Sequence, residues 1–241
     1  MSGYAEIAAH VARDVKDGKL TEIREDGLYR HVEFRALQGW SRIILVTWPY
    51  NLLVAGSHGS FHFERQGSDT EDMFDWLRGI RVEPRSWASK LVNGVDSVRE
   101  YDRDKLVQQV KDEAAEAVKE GAPRGLRAAV REQILESDRL VSQDWAMQMV
   151  YDFEHGTIYR TECSCGASKD HESLHDATMW RIYERHTGAG HEVEDREITG
   201  FTFSDVGDWS IHKLNYHFVY QCHAAAWAIG QYDAARKQVA A

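Results

Sequence analysis

The sequence predicts one α+β domain, in which a small antiparallel sheet of three or four strands packs with several helices. Residues 28–65 are rich in β-branched and aromatic residues between short Gly, Pro or Asn turns, which is typical of strands. Apolar residues recur at helical spacing over much of residues 70–155 and again over 215–237. Closely spaced cysteines and histidines between residues 157 and 196 indicate a small insertion in this domain.

The first elements follow from the change of period along the chain. Apolar residues at helical spacing predict an opening helix that ends near Gly18. The next residues predict an antiparallel meander with strands at 28–37, 41–48, 52–56 and 60–65. The run from Ile43 to Trp48 is apolar on both faces, which predicts a central strand covered on both sides.

The rest of the domain is predicted to be helical. The expected helices are 70–78, 85–92, 102–120, 123–136, 142–154 and 215–237. In the last of these, Tyr216, Tyr220, His223 and Trp227 share one face, which predicts a packing face. Three histidines and a cysteine in this region have no zinc-like spacing and are expected in the core or at its edge: His212, His217, Cys222 and His223.

Composition limits the compartment and the partners. A chain of 241 residues, 43% of them hydrophobic, can bury one sizeable core. The formal charge of −10 disfavours direct binding to duplex nucleic acid, because the phosphate backbone repels it. Three cysteines cannot build a disulfide framework, so we expect a reducing compartment. The chain shows neither an export signal nor about 18 consecutive apolar residues, so we expect a cytoplasmic protein without a membrane partner.

The insertion offers four soft or borderline metal ligands. A predicted strand over 157–163 leads into Cys163-Ser-Cys165-Gly166, where the glycine permits a tight turn. A predicted helix over 172–186 then leads to His186 and His191. Two thiolates and two imidazoles can surround one tetrahedral Zn²⁺, which would supply the folding energy of so small a segment. The alternative is that the cysteines are buried as small apolar residues and the histidines lie on the surface.

The histidine pair resembles the histidine half of two-cysteine, two-histidine zinc fingers, and the resemblance covers residues 157–196. It implies a zinc-finger-like ββα insertion with a structural zinc, set into a body formed by residues 1–156 and 197–241. The cysteine half departs from that family, because only one residue separates the two cysteines and 20 residues separate Cys165 from His186. Residues 157–196 hold five basic and eight acidic residues, so we expect a structural or protein-binding finger rather than a reader of DNA.

Two other groups of residues raise the possibility of hydrolytic chemistry. His171-Glu-Ser-Leu-His175 matches the H-E-x-x-H pattern, in which two histidines one helical turn apart bind zinc and Glu172 activates water. Charged neighbours argue against the buried helix that such enzymes need. His58, His62 and Glu64 could line a cleft with Asp69 or Asp72, although such histidines more often have local structural partners.

Two blocks at opposite ends of the chain carry a further resemblance. The first block comprises residues 55–65, AGSHGSFHFER, followed by residues 72–76, DMFDW, and the second comprises residues 216–229, YHFVYQCHAAAWAI. These blocks look like a group of uncharacterised proteins of tailed phages and prophages. The resemblance implies a cytoplasmic role in the host cell without assigning any chemistry.

The leading hypothesis is a non-enzymatic phage-type accessory protein that binds a host or phage macromolecule, with zinc organising part of its surface. The acidic charge favours a protein as the partner. One alternative is a metal-dependent hydrolase, either a peptidase or a nuclease. Another is an acidic inhibitor of a host defence or nucleic-acid-processing complex.

Overall fold

The structure, a computed structural model, describes residues 3–35, 42–67, 70–78, 81–183 and 190–240. The chain forms two compact units. Unit 1 comprises Met1–Glu100 and Lys213–Ala241, and unit 2 comprises Tyr101–His212. The prediction placed its boundaries elsewhere, so residues 101–156 and 197–212 of the predicted body belong to unit 2 in this division.

Unit 1 contains a five-stranded antiparallel sheet, and the combination of this sheet with helices confirms the predicted α+β class. Each strand pairs with the next one along the chain. The central strand is the third, as its apolar sequence predicted. The strands are β1 (Lys19–Asp26), β2 (Tyr29–Arg35), β3 (Arg42–Trp48), β4 (Asn51–Gly56) and β5 (Gly59–Glu64).

The edge strand β1 was not predicted. Its register with β2 runs from Lys19 opposite Arg35 to Asp26 opposite Tyr29, with one irregularity between Leu20 and Glu22. Most of its side chains are exposed. An exposed edge strand needs no alternation of apolar and polar residues, so backbone pairing alone defines it.

One long helix covers one face of the sheet. Helix α8 (Tyr216–Ala240) packs against β3, β4 and β5. Ile43 and Leu45 of β3 are buried in the same core cluster as Phe218 of this helix. The intervening side chains of β3, among them Ile44 and Val46, are only half-buried. The central strand is therefore fully covered on one face, rather than on both as predicted.

The described part of unit 1 also contains three shorter α-helices: α1 (Gly3–Asp14), α2 (Met73–Leu77) and α3 (Pro84–Ala88). Asp72 caps α2, because its carboxylate accepts a hydrogen bond from the amide of Phe74. The same carboxylate binds Arg30 of β2 through two hydrogen bonds of 2.7 and 2.9 Å. Asp72 therefore joins the sheet to the helical layer, and its role is structural.

Unit 2 begins with a helical part. The main helices are α4 (Arg103–Lys119), α5 (Leu126–Val130), which continues as a π-helical turn over Arg131–Leu135, and α6 (Gln143–Tyr151). Their buried side chains form a second core cluster with Phe153, Phe203 and Ile211. β6 (Arg99–Tyr101) precedes these helices. None of the described helices of the chain is long and apolar enough to cross a lipid bilayer.

Candidate metal centre

Residues 157–198 of unit 2 contain a small three-stranded sheet and one helix, and this segment is here named the Cys–His module. It contains β8 (Ile158–Cys163), β9 (Ser168–His171), α7 (Leu174–Tyr183) and β10 (Val193–Ile198). The three strands form an antiparallel sheet in the order β10-β8-β9. The order of elements is therefore ββαβ, which adds one strand to the predicted ββα arrangement.

The chain enters and leaves the module side by side. Strand β7 (Glu154–His155) precedes the module and pairs with β11 (Phe201–Thr202), which follows it. The amide of Gly200 donates a hydrogen bond of 2.8 Å to the hydroxyl of Thr157. A Cβ atom at Gly200 would lie 2.3 Å from the carbonyl oxygen of His155. The crossing of the two connections thus requires a residue without a side chain.

The module has a very small apolar interior. Its described side chains, at residues 157–180 and 190–198, include two buried apolar ones, Cys163 and Ala177, and two buried polar ones, Thr161 and His171. Neither core cluster of the chain includes a described residue between 154 and 200. Burial of so few apolar groups contributes little free energy of folding. Fully buried apolar side chains among the described residues therefore account for little of the stability of the module.

The two cysteines lie at the end of β8 and in the turn that follows it. The amide of Gly166 donates to the carbonyl of Cys163, and the amide of Cys163 donates to the carbonyl of Ala167, both at 2.8 Å. Gly166 has φ +91°, a conformation that favours glycine. The turn brings both sulfurs to one side, so the sequence-based role of Gly166 agrees with the local geometry.

The ligand atoms of Cys163, Cys165 and His191 all lie within 4.8 Å of one another. The Sγ of Cys163 is 3.6 Å from Nδ1 of His191 and 3.2 Å from Sγ of Cys165. Bond lengths of about 2.3 Å for Zn–S and about 2.0 Å for Zn–N place tetrahedral ligands roughly 3.5 to 3.8 Å apart. The sulfur–nitrogen distance fits that range, and the two sulfurs need to separate by only about 0.5 Å. This donor set fits a borderline-soft cation such as Zn²⁺.

Local hydrogen bonds favour the metal-binding form of one thiol. The pKa of Cys165 lies below its ordinary value, chiefly because of a hydrogen bond with the backbone of Ala167 and also because of the Cys163 side chain. The thiolate is the form of cysteine that binds metal ions. Cys165 is exposed, and Cys163 is buried, so the pair lies at the boundary between the module interior and solvent.

The predicted ligand set was Cys163, Cys165, His186 and His191. The structure brings Cys163, Cys165 and His191 together. His186 lies in residues 184–189, outside the described part of the chain. Its role as the fourth ligand stays a prediction.

The H-E-x-x-H motif does not form the helical turn that its chemistry requires. His171 is the last residue of β9, whereas His175 lies in α7, which begins at Leu174. His171 is buried with its ring 5.8 Å from that of Trp180, and His175 is exposed. The two imidazoles therefore do not lie one turn apart on one helix. The arrangement that a peptidase of the H-E-x-x-H type needs is not formed.

The predicted cleft around His58 and His62 is not formed by the described residues. The Nε2 atom of His62 lies 2.8 Å from Oδ1 of Asn51, and His58 is paired instead with His217 of α8. Asp72 is occupied by Arg30, and Asp69 lies outside the described residues. His217 is exposed, so its predicted place in the core or at the core edge is wrong.

A second group of possible ligands was missed in the sequence: Glu22, His31 and Glu33, on β1 and β2. Its Glu33 is buried, and its two carboxylate oxygens accept hydrogen bonds from Arg35 and Arg42, each at 2.7 Å. These two guanidinium groups, Arg42 first, lower the pKa of Glu33 to about 2. Two adjacent cations disfavour a metal ion, so the cysteine–histidine group is the better candidate centre.

Comparison with known proteins finds no protein-family model, no curated protein and no solved structure that matches this chain. The resemblance to tailed-phage proteins and the resemblance to zinc fingers therefore stay expectations from the sequence. Function has to be argued from the chemistry of the site.

Proposed function

We propose that this chain is a non-enzymatic accessory protein in which a structural Zn²⁺ folds the Cys–His module, and that the module binds a protein partner. The convergence of Cys163, Cys165 and His191 within 4.8 Å carries the proposal. These residues, with His186 as the predicted fourth ligand, would hold the ion. When bound, the ion would cross-link the turn after β8 to the segment before β10.

The small interior of the module supports a structural role for the ion. A zinc site of this type can contribute apparent binding energy of roughly 10 kcal/mol or more, which becomes folding energy when the segment does not fold without metal. Two buried apolar side chains contribute far less than that. Four protein ligands would also leave no open position for substrate, which is typical of structural sites.

The charges of the module favour a protein partner over a nucleic acid. Exposed acidic residues lie just before α7, at Glu172, and in its first turn, at Asp176, where a groove-reading helix would need cations. Arg160 is paired with Asp170, with hydrogen bonds of 2.6 and 2.9 Å, and Lys169 lies over the ring of Trp180. On the exposed sheet face, Glu194 lies opposite Glu162 and Arg196 lies opposite Arg160, so the acidic pair is complementary to a basic group of a protein partner.

Metal analysis of the purified chain tests the zinc site. We expect about one equivalent of zinc per chain, and its loss in Cys163→Ser and in His191→Ala. In the cobalt-substituted protein we expect thiolate-to-cobalt charge-transfer absorption and the strong visible bands of a tetrahedral ion. His155→Ala is the matched control, because this histidine lies beside the module and contacts the carbonyl of Arg124. A chain that binds no zinc in any preparation contradicts the proposal.

A separate experiment tests the partner. Cross-linking and capture from host lysate would compare the wild-type chain, Cys163→Ser and the double variant Glu162→Lys/Glu194→Lys. We expect one protein to be enriched by wild type and lost with both variants, while the double variant keeps its zinc. Equal capture by all three chains, or capture of duplex DNA instead, would reject the binding role of this surface.

A further inference from the structure

Two histidines that are 159 residues apart in the sequence meet in unit 1. The Nδ1 atoms of His58 and His217 are 3.0 Å apart, and the two rings are separated by 5.3 Å between centroids. This pair is distant in sequence from the Cys–His module and shares no residue with it. It is also separate from the group formed by Glu22, His31 and Glu33.

The fold holds His58 firmly. It lies in the two-residue turn between β4 and β5, where Gly56 pairs with Gly59. The buried side chain of Gln221 in α8 donates a hydrogen bond of 3.1 Å to the carbonyl of Gly59, which ties this turn to the helix. The ring of His58 also packs on the ring of Tyr220, with centroids 3.8 Å apart.

His217 is held by the start of α8. Asn215 precedes this helix, and its side chain accepts a hydrogen bond of 2.8 Å from the amide of Phe218. The Phe218 ring packs at 5.3 Å from that of Phe61 in β5, so the first turn of α8 is anchored to the strand that follows the His58 turn. Both imidazoles are thus placed by backbone and core contacts, while His217 itself remains exposed to solvent.

We propose that His58 and His217 form a binding site for a divalent transition-metal ion of the kind that prefers imidazole, such as Zn²⁺, Ni²⁺ or Cu²⁺. With metal–nitrogen bonds of about 2.0 to 2.1 Å, two imidazoles on one ion lie roughly 2.9 to 3.4 Å apart in octahedral or tetrahedral geometry. The observed 3.0 Å falls inside that range. Two protein ligands leave further coordination positions open to water or to another ligand.

The surroundings of the pair suit a cation. Asp14 of α1 accepts a hydrogen bond of 2.9 Å from the hydroxyl of Tyr220, the residue on which His58 packs. This carboxylate places a negative charge in the neighbourhood of the pair.

Calorimetric titration of the full chain with Ni²⁺ tests this site, after loosely bound metal has been removed. We expect one Ni²⁺ equivalent per chain in wild type and at least a tenfold weaker affinity in His58→Ala and in His217→Ala. His62→Ala is the matched control, because His62 lies on the adjacent strand with Asn51 as its partner. His217→Asn keeps a hydrogen-bonding side chain beside His58 and should lose the ion as well.

Two readouts keep this result separate from the zinc proposal. The zinc content and cobalt spectrum of the Cys–His module should be unchanged in His217→Ala, and the thermal melting of unit 1 should shift little because this side chain is exposed. Electron paramagnetic resonance of the Cu²⁺-loaded chain should show two coupled imidazole nitrogens, and one in His217→Ala. Unchanged Ni²⁺ affinity in both alanine variants, or equal loss in His62→Ala, overturns the site and leaves the pair as a histidine–histidine hydrogen bond.

Discussion

The core of unit 1 and the interior of the Cys–His module differ in how much apolar surface each one buries. In unit 1, strands β2 to β5 and the helices share one continuous cluster that includes Phe34, Leu45, Trp87 and Phe218. In the described part of the module, Cys163 and Ala177 are the buried apolar side chains. Among the described residues, unit 1 therefore contains a region with extensive apolar burial, and the module one with very little.

The extent of apolar burial determines how strongly a bound ion would affect the stability of each region. A cross-link changes the folded fraction of a region with a large apolar core only slightly, because the folded state is already favoured there. A region with almost no core depends on whatever fixes its turns and strand ends. In the module, the converging thiols and imidazole lie at a turn and at the ends of strands, so loss of the proposed ion should affect this region alone.

The largest expected effect is that of metal removal. Treatment of the zinc-loaded chain with a strong chelator should lower amide protection across the described residues of the module by on the order of a thousandfold or more, because at the proposed site the binding energy of the ion is the folding energy. Amide protection in β2 to β5 should stay within a factor of about 2. Hydrogen exchange with mass spectrometry measures both regions at once. Equal loss of protection in unit 1 would contradict the claim that the ion stabilises the module alone.

A core truncation should produce the opposite pattern. Phe218→Ala removes a fully buried ring that contacts Phe61 and Phe63, and should lower the free energy of unfolding of unit 1 by about 3 to 5 kcal/mol. Zinc affinity should not change. Chemical denaturation and metal titration measure the two quantities. The control is Tyr29→Ala, since this ring is 62% exposed and its removal should have little effect.

A third prediction concerns acid stability of unit 1. The pKa of Glu33 is lowered to about 2 by Arg42 and Arg35, so its ion pairs stabilise the folded state above the ordinary pKa of 4.5 and are lost as the pH falls toward 2. Glu33→Gln should therefore lower stability at pH 7 by about 1 to 2 kcal/mol, a range reduced for the exposed arginine partners. The gap from wild type should close between pH 4.5 and 2. Denaturation curves across that range measure the gap. A gap that stayed constant would contradict the stabilising role of the Glu33 ion pairs.

The smallest effect is expected from a single hydrogen bond inside the module. Thr161 is fully buried, and its hydroxyl donates to Asp195 at 2.9 Å. Thr161→Val should cost about 1 kcal/mol, which appears as roughly fivefold weaker zinc binding because folding and metal binding are coupled here. Ser168→Ala on exposed β9 is the control and should leave the affinity unchanged. Equal affinity in Thr161→Val would mean that the module is folded without its ion.

The fold of unit 1 was predictable where buried elements show a regular pattern of apolar residues in the sequence. The apolar run of β3 predicted a central strand, and the periodic aromatic residues of α8 predicted a long packing helix. Strand β1 was missed because most of its side chains are exposed, and only its pairing with β2 defines it. Long-range pairing depends on the neighbouring strand, which a local pattern does not describe.

The candidate centre was predictable in part for a similar reason. Cys163 and Cys165 are close in sequence, so a turn at Gly166 suffices to bring their sulfurs together. The pairing of His58 with His217 could not be inferred, because it depends on α8 lying across the β4–β5 turn. The H-E-x-x-H pattern suggested a helix where the chain actually changes from β9 to α7, since the motif says nothing of where the preceding strand ends.

The assembly of unit 1 from two distant stretches of chain has a consequence for its synthesis. About 150 residues separate the end of β5 from the start of α8. At 5 to 20 residues per second, the ribosome adds them in roughly 8 to 30 s. Throughout that interval the nascent sheet presents the apolar face that α8 later covers, including Phe34 and Leu45. Chaperone binding to the growing chain should therefore be strongest after β5 has emerged and should end when α8 is released.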